Sequence, residues 1–409
     1  MLRRLGTTLC ALVLTCLSAG GFAADYDAQR ERMIAEEIAP YGISNPRVLK
    51  AMRSTPRHKF VPAGFRQFAY DDAALPIGDR QTISPPFVVA YMTQELDPQP
   101  TDRVLELGTG SGYQAAVLSP LVREVYTIEI VERLAQQAER TLQQLQYENI
   151  HVRAGDGYFG WPEAAPFDKI IVTCSPEKIP PPLVEQLREG GRMIIPVGER
   201  YQQNLFRITK RDGQLQRQPL QATLFVPMTG AAEDARQVLP DPSQPRIVNG
   251  SFEDAIPREG TEELWPTGWH YLRQATLVSD ERSAPAGKHY LSLTNDERGR
   301  VSQALQGLAL DERRVRFVRL SAQVRGHDLE RGATDQQQPT VLITFYDRRR
   351  AAIDTQRLGP WNGSFDWQPV SAVLRVPPGT REAIVRLSLS GGSGRLALDD
   401  LKLQPADPK

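Results

Sequence analysis

Val104-Leu105-Glu106-Leu107-Gly108-Thr109-Gly110-Ser111-Gly112 reads as a short apolar strand that runs into a glycine turn and then into a helix. Glycines at such a turn let the backbone bend sharply and approach a ligand closely. The spacing is Gly-x-Gly-x-Gly, and the third glycine of a dinucleotide fingerprint would fall at the position held by Tyr113. Glu129 ends the next expected strand, 21 residues after Gly108. An acidic side chain placed there can accept hydrogen bonds from both ribose hydroxyls of a nucleoside. Asp156, within Gly155-Asp156-Gly157, follows the third strand at the same carboxyl-end edge, where open α/β sheets bind ligands. Alone, the glycines could simply make a tight turn. Together with the two acids they indicate a nucleoside-type cofactor.

Outward from this stretch, apolar strands alternate with amphipathic helices. The strands are expected at 104–107, 125–129, 150–153, 169–173 and 192–196. Helices are expected from about Asp25 to Met52, from Phe87 to Leu96, from Glu132 to Leu145, and from Pro180 to Leu187 with Gly190-Gly191 as the stop. In Glu132–Leu145 the residues Leu134, Ala138, Leu142 and Leu145 share one face. This alternation predicts an α/β fold, a parallel sheet covered by helices on both faces. Strands 204–209 and 220–227 flank Asp212-Gly213, a hairpin turn that adds antiparallel pairing at one edge.

The chain has 409 residues, with 49 basic and 49 acidic side chains. A neutral chain without a long basic run argues against nucleic acid as a partner. Residues 1–23 read as a signal peptide: Arg3 and Arg4, an apolar run from Leu5 to Leu17, then Gly21-Phe22-Ala23 before cleavage. The run is too short for a transmembrane helix, and none is expected after leader removal. The mature protein is therefore expected to be periplasmic or secreted, and a monomer. Cys10 and Cys16 fall in the leader, so Cys174 alone remains and no internal disulfide can form. Cys174 reads as a small core residue rather than a reactive thiol. Residues 24–230 form the first domain and 231–246, rich in Pro, Asp and Gln, a linker. From 247 to 405 the period changes to two, in Arg314–Phe317 and Ala383–Leu389, with further strands at 340–346 and 371–376. Short strands between Gly, Pro and Asn, without a convincing helix, predict a β-sandwich.

Over residues 30–230 the chain resembles the protein-L-isoaspartate O-methyltransferases. The matching stretches include Pro56-Arg57-His58-x-Phe60-Val61-Pro62, Leu75-Pro76-Ile77-Gly78, Gln81-Thr82-Ile83-Ser84, Gly155-Asp156-Gly157-Tyr158-x-Gly160-Trp161-Pro162 and Phe225-Val226-Pro227-x-Thr229-Gly230. The Gln-Thr-Ile-Ser element sets this family apart from other methyltransferases. The resemblance implies a Rossmann-like domain that uses S-adenosyl-L-methionine. Its substrate would be the α-carboxylate of isoaspartyl residues in damaged proteins or peptides, and its product a methyl ester that decays through a succinimide. It marks Ser84 as the active residue. Gln81, Thr82, Ile83, Glu106, Gly108, Thr109, Gly110, Gly112, Glu129, Asp156, Gly157 and Thr229 would contact the cofactor. Ser84 could otherwise cap the following helix, Tyr158 and Trp161 could be packing, and His58 reads as structural. No zinc or iron ligand spacing is present.

The second half resembles a galactose-binding-like jelly roll of the carbohydrate-binding-module type. The carrying residues are Val248-Asn249-Gly250-Ser251-Phe252-Glu253, Trp265-Pro266-x-Gly268-Trp269 and Leu398-Asp399-Asp400-Leu401. The resemblance implies that first and last strands meet, with Glu253 and Asp399 as candidates for a structural calcium. Trp265, Trp269, Trp361 and Trp367 could stack on a carbohydrate or another envelope ligand, or fill the core. The rival readings of the whole chain are a methyltransferase of different specificity and an exported, non-catalytic scaffold.

Overall fold

In the computed structural model, residues 25–257, 263–348 and 350–408 are described; the expected leader, with Cys10 and Cys16, lies outside them. The glycine stretch supplies the central strand of the first domain. Val104, Leu105 and Leu107 are all fully buried, as a strand covered on both faces requires. Pleating sends Val104 to one side of the sheet, into a core shared with Val125, Ile171 and Leu134. Leu105 and Leu107 go to the other, with Ile128, Ile170 and Leu183.

The strands of this half are β1 (Leu75–Gly78), β2 (Gln81–Ile83), β3 (Arg103–Leu107), β4 (Glu124–Glu129), β5 (Ile150–Ala154), β6 (Phe167–Val172), β7 (Leu187–Glu199), β8 (Gln202–Arg211) and β9 (Gln214–Thr223). The helices are α1 (Tyr26–Arg32), α2 (Pro46–Ser54), α3 (Pro86–Leu96), α4 (Tyr113–Leu118), α5 (Glu132–Gln144), α6 (Pro181–Gln186) and α7 (Ala231–Asp234). Seven strands form one sheet in the order β5-β4-β3-β6-β7-β8-β9. It is parallel from β5 to β7 and antiparallel across β7, β8 and β9. The chain therefore leaves β3 in one direction for β4 and β5 and returns on its other side for β6, which opens a crevice at the carboxyl end of β3.

Four boundaries differ from expectation, each for a local reason. The helix expected over 25–52 is broken: Gly42 is left-handed at φ 92°, and Asn45 starts α2 by accepting amide hydrogen bonds from Arg47 and Val48 ahead of Pro46. Helix α6 stops at Gln186, because Leu187 already pairs with Phe167; Gly190-Gly191 lies inside β7, within a shift in register between Leu187 and Arg192. Strand β9 spans 214–223 rather than 220–227. Asp212 and Gly213, both at positive φ, make a tight hairpin that starts pairing at once. In the second half, the strand expected at Arg314 begins at Phe317, because the amides of Arg314 and Val315 close a turn on the Asp311 carbonyl.

The second half holds β10 (Ala255–Pro257), β11 (Leu264–Pro266), β12 (His270–Arg273), β13 (Ala275–Ser279), β14 (His289–Asn295), β15 (Gln303–Ala309), β16 (Phe317–Glu330), β17 (Thr340–Tyr346), β18 (Ala352–Leu358), β19 (Gly363–Arg375), β20 (Glu382–Ser388) and β21 (Ser393–Pro405). Two five-stranded antiparallel sheets, β12-β15-β20-β17-β18 and β13-β14-β21-β16-β19, build the expected sandwich. Along β16, Val318, Leu320, Ala322 and Val324 point inward. They meet Val341, Ile343, Val385 and Leu387 from the other sheet. The ends of the domain come together where the Leu401 amide donates to the Gly250 carbonyl at 2.9 Å.

The two halves are bonded to each other. Between them, the 231–246 segment opens with α7, and buried Arg236 donates to the carbonyls of Gly198 and Ser175. Across the interface the Tyr201 hydroxyl donates to Glu382 at 2.8 Å, and Arg273 pairs with Asp72, both side chains being under a tenth exposed. Among the described residues, no helix is long and apolar enough to cross a membrane.

Candidate active site

A cleft of about 760 Å³, counting its open mouth, lies at the carboxyl end of β3, in the size range of small-molecule sites. Gln81, Thr82, Ile83 and Ser84 form one wall. Glu106, Gly108, Thr109 and Gly110 form its floor, and Glu129, Gly157 and Thr229 complete it. The topology of the sheet unites these segments, although 148 positions separate Gln81 from Thr229.

The glycine turn is held from below. Gly108, at φ 97°, leaves no room for a side chain: a Cβ there would stand 2.6 Å from the Thr173 hydroxyl oxygen. That hydroxyl donates to the carbonyls of Leu107 and Gly108. Glu129 braces the turn as well, accepting from the Gly110 amide at 2.8 Å and the Val131 amide at 2.9 Å. Its burial raises the carboxyl above the ordinary range, against the pull of these amides. Glu106 is fully buried beside Thr127, and neither of its carboxylate oxygens has a well-formed hydrogen bond. Burial pushes its carboxyl up to about 8.

Two expected cofactor residues stand behind the cleft. Gly112 packs against α5, where a Cβ would meet Leu142 at 3.3 Å. Asp156 turns its carboxylate to backbone, accepting from the amides of Tyr158 and Ala231. It thereby fastens the Gly230 bend beside Thr229.

Ser84 is half-buried on the cleft wall and does not cap the helix that follows. Pro85 occupies the cap position of α3, and the Phe87 amide instead donates to Asp72 Oδ1 at 2.8 Å. Further residues reach the cleft, among them Ile130, Tyr113, Gln114, Thr173 and Met228. Adjacency to Glu129 was a signal for Ile130, and Thr173 ends the strand expected at 169–173. Tyr113 and Gln114 directly follow the glycine turn, but their spacing did not mark them as lining the cleft.

The remaining candidates resolve by their contacts. His58 stacks on Tyr26 with ring centroids 4.0 Å apart and bonds to the Tyr70 hydroxyl; it is a packing residue. Trp161 meets Tyr126 edge-on, with the Arg153 guanidinium 5.2 Å from its ring centre. Cys174 lines the cleft, but burial drives its thiol far above the usual range, so it is a poor nucleophile. Trp269 is wholly buried against Phe252 and donates its indole N–H to the Asn249 carbonyl. It fills the sandwich core and cannot stack on a ligand. Glu253 accepts from the amides of Lys288 and His289, and Asp399 from that of Ala286. Both carboxylates thus fix one loop, and among the described residues no group of three metal-ligating side chains is assembled.

A parallel sheet reversing at β3, a glycine turn and an acid at the end of the next strand define a nucleoside-cofactor enzyme of the Rossmann-like methyltransferase type. Comparison with known proteins narrows the class. The family model of protein-L-isoaspartate(D-aspartate) O-methyltransferase matches residues 28–233. The chain is 54% identical over 202 residues to a protein-L-isoaspartate O-methyltransferase of Opitutus terrae, covering 49% of this chain and 87% of that one. It is 50% identical over 198 residues to one of Gloeobacter violaceus, covering 48% and 97%. Among solved structures, a putative protein-L-isoaspartate O-methyltransferase from Plasmodium falciparum, in complex with S-adenosyl-L-homocysteine, is 25% identical with a TM-score of 0.44, covering 50% of this chain and 98% of that chain. The chain belongs to the protein-L-isoaspartate(D-aspartate) O-methyltransferase family. It is an S-adenosylmethionine-dependent protein carboxyl methyltransferase, and residues 234–409 lie beyond the family match.

Proposed function

We propose that this protein transfers a methyl group from S-adenosylmethionine to the α-carboxylate of L-isoaspartyl residues in damaged proteins, the first step of their repair. One observation carries the reading: the Gln81–Ser84 segment and the Gly108–Gly110 turn face the same cleft. The residues fit the cofactor. Glu106 presents two buried oxygens without good partners, and such a group suits a cationic ligand. Glu129 stands where ribose hydroxyls would be held, and Ile130 and Met228 offer apolar walls.

When bound, S-adenosylmethionine supplies an electrophilic methyl group for in-line displacement. A substrate carboxylate is ionised near neutral pH, so no general base is needed. The Ser84 hydroxyl, free of any capping duty, donates to one carboxylate oxygen and leaves the other aimed along the cleft. The wall formed by Gln81, Thr82 and Ile83 holds that line, and positioning accounts for most of the acceleration. The reaction is tested by comparing methyl transfer to an isoaspartyl peptide and to its aspartyl isomer. A strong preference for the isoaspartyl form is expected, and equal rates would overturn the assignment. Residues 1–23, read as a leader, support a periplasmic or secreted location; cell fractionation with N-terminal sequencing checks this, and cytosolic protein beginning at Met1 would refute it.

A further inference from the structure

The sandwich touches the methyltransferase domain next to both rims of the cleft, and does so from one short strand. Strand β12 is irregular: its pairing with β15 shifts register between His270 and Arg273, and Tyr271 is left-handed at φ 52°. Such irregularity re-aims side chains away from the ladder. Here it sends three of them across the interface. His270 Nε2 lies 3.2 Å from the Tyr201 carbonyl. The Tyr271 hydroxyl donates to the Leu224 carbonyl at 3.1 Å, two residues before the cleft-lining segment that starts at Val226.

Arg273 reaches the other rim. Its Nε donates to Asp72 Oδ2 at 2.8 Å, and its Nη2 donates to the same oxygen at 2.5 Å. The other oxygen of Asp72 accepts the Phe87 amide, the first turn of the helix that begins two residues after Ser84. The guanidinium also lies 4.0 Å from the Phe87 ring centre. Without Arg273 the buried carboxylate would lose the cation hydrogen-bonded to it and become a weaker anchor. Arg273 thus completes, from outside the family domain, the cap that sets where the Ser84 segment enters α3.

We propose that Arg273 of the sandwich is a positioning residue for methyl transfer, acting through Asp72 on the Ser84–Phe87 segment. The accessory domain is, on this view, a strut for the substrate side of the active site. The proposal rests on the assignment of Ser84 to the substrate carboxylate. It predicts a specific pattern in the full-length protein. Arg273→Ala lowers kcat/KM for the isoaspartyl peptide by about five- to tenfold, less than loss of a charged hydrogen bond made directly to the substrate would cost, because Arg273 acts through Asp72. Affinity for S-adenosylmethionine, read by calorimetry, stays within about twofold, since neither Asp72 nor Arg273 lines the cleft. Arg273→Lys, which keeps the charge, recovers part of the loss. Asp72→Ala gives a similar loss, and adding Arg273→Ala to it changes little further.

Amide hydrogen exchange at Phe87 provides a readout that does not depend on activity. Protection falls in Arg273→Ala and recovers partly in Arg273→Lys. Wild-type rates for Arg273→Ala, additive losses in the double variant, or unchanged Phe87 protection would each overturn the proposal. If the wild-type enzyme ignores the isoaspartyl peptide, the assigned reaction fails. The Phe87 measurement then still decides whether Arg273 holds the cap.

Discussion

Ser84 carries the clearest test at the scale of the residue. Ser84→Ala removes one hydroxyl that has no capping role, so the fold should be unaffected. Steady-state assays should show kcat/KM for the isoaspartyl peptide down about ten- to a hundredfold, as when one positioned hydrogen bond to a reacting oxygen is lost, while calorimetry finds cofactor binding unchanged. Glu106 makes a pH prediction. Its folded-state value of about 8 lies above the ordinary 4.5. The native state therefore holds a proton that the unfolded chain releases, and the stability from this group is full below pH 4.5 and lost as pH rises toward 8. Binding a cation beside it should expel that proton. Calorimetry near pH 7 in buffers of different ionisation enthalpy should find proton release on S-adenosylmethionine binding, and less of it in Glu106→Gln. The identity of Glu106 was readable from the strand, but its protonation state depends on a burial that no local stretch reveals. Cys174 is similar: the sequence shows a lone thiol, and burial in the fold raises it above the usual thiol range.

At the scale of the element, the glycine turn works because of what seats it. Gly112, expected beside the cofactor, provides clearance for α5. Leu142 of that helix is almost wholly buried and would lie 3.3 Å from a Cβ at that glycine. Leu142→Ala should cost about 3 kcal/mol in denaturant unfolding, within the usual range for a buried leucine, and should weaken cofactor binding as the turn loosens. Full cofactor affinity together with that destabilisation would show that α5 and the turn are independent. The spacing of three and four along Glu132–Leu145 made this helix plain in the sequence. Helix α6 was less so, because Leu187 can continue a helix face or start a strand, and pairing with Phe167 decides for the strand.

At the scale of the whole molecule, the buried contacts between the halves should make them unfold together. His270 lies in that interface, and burial lowers its ring to about 4 from 6.5. The folded state binds fewer protons than the unfolded chain in this window, so the stability it contributes is present above pH 6.5 and is lost as pH falls toward 4. Thermal unfolding should show one transition at neutral pH and a Tm that drops between pH 6.5 and 4, with a smaller drop in His270→Gln; an equal drop in the variant would remove His270 as the cause. By itself, the sequence determined the alternating α/β order, the glycine turn, Glu129, the Gln81–Ser84 element and the period-two second half, because each is written in local spacing and in side chains that stand near one another along the chain. The tertiary structure alone decided that Asp156 and Gly112 support the cleft from behind, and that Ser84 is relieved of capping by Asp72. It alone joined Asp72 to Arg273, which lie 201 positions apart. Hydrogen bonds and burial over such separations are set by how the sheets pack, and packing leaves no periodic mark in the sequence that would betray it.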